Sequence, residues 1–113
     1  MSSVELERVT LPPVLGDGTA VTVLQVRGDI DITNMAAFEL ALAQPADGGL
    51  IVDLGRARQV SSAGFALLHR LVRQGNAAVV VAGDGIVHAA ATLVNLPFHE
   101  SVAAARDWLA PPG

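Results

Sequence analysis

The segment GLIVDLGRARQVSSAGFALLHRLVR, residues 49–73, decides how this chain folds. It opens on a short, continuous apolar run, residues 49–55, of the kind that makes a strand buried on both faces. It closes on an apolar stripe at helical spacing, Phe65, Leu68, Leu71 and Val72, with His69, Arg70, Arg73 and Gln74 pointing elsewhere. A helix is therefore expected over residues 62–74, with Gly75 as its stop. At the junction stand two adjacent hydroxyls, Ser61 and Ser62, followed by Ala63 and Gly64. Either serine can cap the helix by accepting a backbone amide two or three residues on, a contribution of about 1 kcal/mol. Gly64 falls in the first turn, where glycine costs roughly 1 kcal/mol relative to alanine. Its missing side chain suits the close approach of another backbone or of a partner.

Further along, AAVVVAG, residues 77–83, repeats the continuous apolar pattern and reads as another buried strand. Two such strands separated by a helix of this length imply a right-handed parallel crossover. Toward the N-terminus, VELERVTL alternates with a period close to two, and AVTVLQVRG is rich in β-branched residues. In the latter, Val21, Val23 and Gln25 face one way while Thr22, Leu24 and Val26 face the other. Between these strands LPPVLGDGT breaks the pattern, because Pro12 and Pro13 lack donors and the GDG supplies turn conformations.

The period changes in TNMAAFELALAQ, where Met35, Phe38, Ala41 and Leu42 share a helix face, Thr33 or Asn34 offers an N-cap, and Pro45 with the following DGG ends the helix. A third helix over residues 86–94 should turn Ile86, Ala89, Ala90 and Leu93 inward and end at Asn95 and Pro97. A fourth, residues 101–109, should bury Val102, Ala105 and either Leu109 or Trp108. The expected architecture is an α/β fold spanning residues 1–113 as a single domain: a small mixed β-sheet of about four to five strands covered by about four α-helices.

Bulk composition bounds the function. With 113 residues the chain can bury a real core, and 51% hydrophobic against 16% charged residues excludes the disordered class. A net charge of −4, with seven Lys plus Arg scattered through the chain, provides no basic face for nucleic acid. There is no cysteine for a disulfide or a thiolate metal site. The opening MSSVELERV lacks a basic region followed by an apolar one, and no apolar run approaches the roughly 20 residues of a membrane span. A cytoplasmic location is the expectation.

No catalytic constellation stands out. His69, His88 and His99 lack metal-ligand spacing, so no metal site is expected. No G-x-S-x-G elbow surrounds Ser62, and neither GDG, at residues 16–18 or 83–85, has the downstream lysine and glycine spacing of a phosphate loop. Asp29 and Asp31 read as turn or capping residues rather than a cation site. The chain is expected to be a binding module, without cofactor and not an enzyme. Ser62 is suited to a different chemistry. A phosphoryl group there would bring about −1.5 to −2 charges to the helix end whose free amides and macrodipole favour anions.

The same segment resembles the one that marks STAS domains, the family of bacterial anti-sigma factor antagonists. In that family a buried strand leads to an Asp-Ser-Ser-Gly or Asp-Ser-Thr-Gly phosphorylation motif at the start of a helix. VRGDIDITNMAAFELAL is similar to the family's strand, Gly-Glu-Leu-Asp turn and first helix, with Gly28, Asp29 and Asp31 on matching positions, and FHESVAAARDWL resembles its last short strand and helix. The likeness spans nearly the whole chain in the right order. It implies that Ser62 is the residue phosphorylated by a cognate anti-sigma factor, itself a serine kinase, with Ser61 the second choice. Ser61 stands where the motif has aspartate, Ala63 where it has a second hydroxyl residue, and Gly64 matches. The substitution at 61 removes a carboxylate beside the acceptor and leaves the acceptor in place.

The resemblance further implies a binding switch. Gly28, Asp29, Asp31, Ser61, Ser62, Ala63 and Gly64 form the partner surface, which docks an anti-sigma factor when unphosphorylated and releases it when phosphorylated. Arg70 and Arg73, one turn apart on the exposed side of the second helix, are either plain solubilising charge or the basic half of that surface. Two other roles fit the same fold. GFALLHRLVRQGN together with LVNLP is similar to STAS subunits bound to the ATPase of a bacterial phospholipid-transport complex, and an adaptor in a stress-signalling assembly would use the same surface without phosphorylation.

Overall fold

In a computed structural model of the chain, residues 3–12, 20–46 and 48–109 are described. The expected turn at residues 13–19, its GDG, Asp47 and the terminal Pro-Pro-Gly lie outside them. Strands β1 (Val4–Leu11), β2 (Val21–Ile30), β3 (Leu50–Val60) and β4 (Ala77–Val80) form a sheet in the order β1-β2-β3-β4. β1 runs antiparallel to β2, whereas β2, β3 and β4 are mutually parallel. Helices α1 (Met35–Leu42) and α2 (Ser62–Arg73) make the crossovers, and α3 (Ile86–Leu93) and α4 (Val102–Leu109) follow β4. The mixed sheet with four helices is the architecture expected from the sequence. The short strand expected near FHES is a single parallel bridge, in which the His99 amide donates to the Val79 carbonyl at 2.8 Å.

The sheet is covered unequally. α1, α2 and α3 pack on one face, where Leu24, Val26, Val52, Leu54 and Val79 from the strands meet Phe38, Phe65, Leu68, Val87 and Ala91 from the helices. Among the described residues α4 is the helix that covers the other face, setting Ala105 against Val21, Val23, Ile51, Ala78 and Val80. Burial of β2 to β4 on both faces is what their unbroken apolar runs require, since each side chain direction meets a hydrophobic layer. Two long side chains tie the layers together. Arg8 of β1 donates to the carbonyls of Ala41 and Pro45, at 3.2 and 2.8 Å, and so supplies the cation that α1 lacks in its own last turn. Arg106 of α4 donates to the Pro12 carbonyl at the end of β1.

Two expectations require correction. The first concerns strand length: β2 continues to Ile30 and β3 to Val60, beyond the ends at Gly28 and Gly55 read from the apolar runs. The polar segment GRARQ is therefore strand, not loop. β3 carries two register irregularities against β2, between Gln25 and Arg27 and between Gly28 and Asp29. At the first, the Asp53 carboxylate accepts from the Gly55 amide at 2.9 Å, satisfying a donor that the ladder leaves free. Bulges break strict alternation, which is why the pattern stopped reading as strand.

The second correction concerns α3. Val87 and Ala91 point inward, with Ala90 and His88 half-buried, while Ile86, Ala89 and Leu93 face solvent, Ile86 being 75% and Leu93 83% exposed. The helix IVHAAATL has no charged residue to mark its outer side, so its phase was set by packing and not by periodicity. Its end is as expected: Asn95, at φ 57°, takes the left-handed position that follows a helix C-cap.

Candidate functional site

The site grows from the extended ends of β2 and β3. Ile30 and Val60 are register partners, and one step further the Ser61 amide donates to the Ile30 carbonyl at 2.9 Å. Ser61 is thus the whole strand-to-helix connection. It is extended, at φ −71° and ψ 165°, and its hydroxyl accepts from the Gly64 amide at 3.2 Å as the N-cap of α2. The two serines separate into different roles. Ser61 is half-buried and its oxygen is engaged, whereas Ser62, the first residue of the helix, is exposed and its hydroxyl has no partner among the described residues.

Gly64 answers an internal need. A Cβ at this position would lie 2.9 Å from the Val60 Cγ1 and 3.0 Å from the Ile30 Cγ2, closer than carbon atoms pack. Its absence lets the first turn of α2 sit on the two strand ends, so the close approach anticipated from the sequence is made by strand side chains. Gly28 is likewise required by the fold. It has φ +89°, and a Cβ would collide with the Ser3 carbonyl, whose oxygen accepts from the Asp29 amide at 2.9 Å.

The turn over residues 31–34 is closely braced. The Asn34 amide donates to the Asp31 carbonyl at 3.2 Å. The Asp31 carboxylate accepts from the Thr33 amide at 2.9 Å and from its hydroxyl at 2.5 Å. Asn34 occupies the N-cap position of α1 but caps nothing; its side chain accepts from the Asp31 amide at 2.9 Å and donates to the Asp29 carbonyl at 2.7 Å. Asp29 lies within β2, not in a turn, and pairs with Arg58 at 3.2 Å. Arg58 sits at the second register irregularity of β3, where a bulge re-aims a side chain. At 69% exposure the Arg58 end of this pair is well solvated, so the bridge orients more than it stabilises.

The sequence reading missed two residues here. Arg58 lies between the apolar run that ends at Gly55 and the serine pair, where no periodicity marks it. Ile32 sits at the tip of the braced turn and is 90% exposed, and its only signal was an apolar residue isolated in a polar stretch. Arg70 and Arg73 are exposed on α2 with no ion pair among the described residues. Counting 100° per residue, Ser62, Ala66, Arg70 and Arg73 fall within one quadrant of the helix, so the hydroxyl and the arginines share an outer face.

The histidines are engaged separately. His69 Nε2 lies 3.0 Å from the Val94 carbonyl, His88 is stacked at a tilt on Phe98, and His99 on Trp108. Among the described residues no group of three or more His, Asp or Glu is placed to hold a metal ion, and no helix is long and apolar enough to cross a membrane.

No family model matches the sequence, and no curated protein matches it. Among solved structures the chain is similar to an anti-sigma factor antagonist from Mycobacterium paratuberculosis, with a TM-score of 0.68 and 21% identity, covering 95% of this chain and 94% of that one. A further match is an uncharacterized protein of the DUF3478 family with a SpoIIAA-like fold from Shewanella loihica PV-4, with a TM-score of 0.49, 15% identity and coverage of 97% and 96%. The first match shows that the chain has the fold of an anti-sigma factor antagonist, the STAS fold implied by its motifs.

Proposed function

We propose that the chain is a regulatory module of the anti-sigma factor antagonist type, which binds an anti-sigma factor of the serine-kinase class and is switched by phosphorylation of Ser62. The observation that carries this reading is the division of labour at the helix start: the Ser61 hydroxyl is spent on capping, and the neighbouring Ser62 hydroxyl is exposed and unengaged. In the transfer, the Ser62 oxygen attacks the γ-phosphorus of ATP held by the kinase. The bond to the bridging oxygen breaks, ADP leaves, and the hydroxyl proton passes to a base of the kinase.

The resulting dianion would sit at the first residue of α2, beside helix amides that favour negative charge, so the fold tolerates it. The cost falls on the interface. A loss of about 1 to 3 kcal/mol there lowers affinity roughly 5- to 150-fold. The test is incubation with ATP and the purified serine-kinase anti-sigma factor of the source organism, followed by peptide mapping. Label on Ser62 is expected; label on Ser61 alone, or none, refutes the assignment. Ser62→Asp should weaken binding by the same order as phosphorylation.

One observation favours a second reading, the subunit held on a transporter ATPase. The outer face of α3 and the LVNLP stretch expose Ile86, Leu93 and Val94 together. A permanent subunit requires such an apolar seat, and Ser62 would then carry no phosphate. Co-purification with a transporter ATPase, lost on Leu93→Glu and indifferent to Ser62→Asp, distinguishes it.

A further inference from the structure

We infer that Ile32 is the apolar anchor of the partner surface, seated in an apolar pocket of the anti-sigma factor that also presents acidic groups to Arg70 and Arg73. The inference rests on the binding-switch reading above and specifies the chemistry of the partner.

Three observations carry it. Ile32 is the most exposed of the large hydrophobic residues among those described, at 90%. It is also held still: the backbone on either side is fixed by the bonds from Asn34 to Asp31, from Thr33 to the Asp31 carboxylate, and between Asn34 and both Asp31 and Asp29. An anchor already in place loses little conformational freedom on docking, so more of its burial appears as affinity. Finally, the turn is one step from the switch, because Ile30, two residues before Ile32, is bonded through its carbonyl to the amide of Ser61, the residue before Ser62.

Charge then sets the partner's polarity. Near the turn the acids are engaged internally, Asp29 with Arg58 and Asp31 with Thr33, which leaves apolar contact as the recognition available there. Along the outer face of α2 the balance reverses. Arg70 is eight positions beyond Ser62, about 12 Å along the helix, and neither it nor Arg73 has an ion pair among the described residues. A partner matching both ends carries an apolar pocket at one end and carboxylates at the other. A phosphoryl group on Ser62 would lie between them, within the contact, where closing the interface strips water from a dianion at high cost.

The experiment titrates the source organism's purified serine-kinase anti-sigma factors, without ATP, against the full chain and three variants by calorimetry. Ile32→Ala should lose tenfold to a hundredfold in affinity. Leu93→Ala, a side chain of similar size and exposure on α3, should stay within twofold. Arg70→Glu with Arg73→Glu should weaken binding more at low salt than at high salt. Matching thermal unfolding of wild type and Ile32→Ala confirms that the exposed substitution leaves the fold intact. If the wild type binds and Ile32→Ala binds within twofold of it, the anchor is wrong while the switch reading stands. If Leu93→Ala is the variant that loses binding, the docking face is α3. If the wild type binds none of these factors, the switch reading fails and the anchor falls with it.

Discussion

α2 and α3 are both crossover-side helices on the same face of one sheet, yet their sequences constrain them to very different degrees. In α2, SAGFALLHRLVR interrupts its apolar residues with His69, Arg70 and Arg73, and the inward stripe that these leave, Phe65 and Leu68 with Leu71 and Val72 at its margins, is the one observed. In α3, IVHAAATL is apolar almost all round, and the stripe chosen from spacing proved to be largely the outer one. The lesson is that polar residues, more than apolar ones, set a helix's phase. Charge is costly to bury anywhere, whereas an alanine or a leucine is tolerated on either side.

The sharpest way to break this comparison is to remove one leucine from each helix. Leu68→Ala, at a site with no solvent exposure, should cost about 2 to 5 kcal/mol in denaturant unfolding, because a cavity adds to the lost transfer energy. Leu93→Ala should change stability by no more than about 0.5 kcal/mol. Equal losses would mean that α3 is turned with Leu93 inward.

A smaller effect tests the α2 start. Gly64→Ala should destabilise by about 1 to 2 kcal/mol, since overpacking against Val60 and Ile30 outweighs the helix propensity gained. A stabilised variant would show that α2 does not rest on the strand ends. The finest comparison is between adjacent serines: Ser61→Ala should lose about 1 kcal/mol with its cap, and Ser62→Ala should lie within about 0.5 kcal/mol of wild type. Equal losses would remove the distinction between cap and switch on which the functional reading depends.

The candidate site was legible in part for the same reason as the helices. Glycine and hydroxyl residues at a strand-to-helix junction have few structural meanings, so the serine pair and Gly64 could be singled out from residue type alone. Arg58 could not, because its position follows from a bulge, and a bulge leaves no mark on alternation except to spoil it. Ile32 was hidden by context: nothing local distinguishes an apolar residue that packs from one that a braced turn holds out to solvent.

The amino-acid sequence by itself determined the order of elements, the parallel pairing of the buried strands and the capping chemistry at the start of α2, all of which follow from periodicity and from conformational preferences over a few residues. The tertiary structure alone decided how far β2 and β3 extend past their apolar runs, which side of α3 faces inward and which hydroxyl is left free, because each depends on what stands opposite in space. Register, bulge position and helix phase are settled by minimising unsatisfied donors and voids over the whole sheet, and no window of the chain contains the partners that enter that sum.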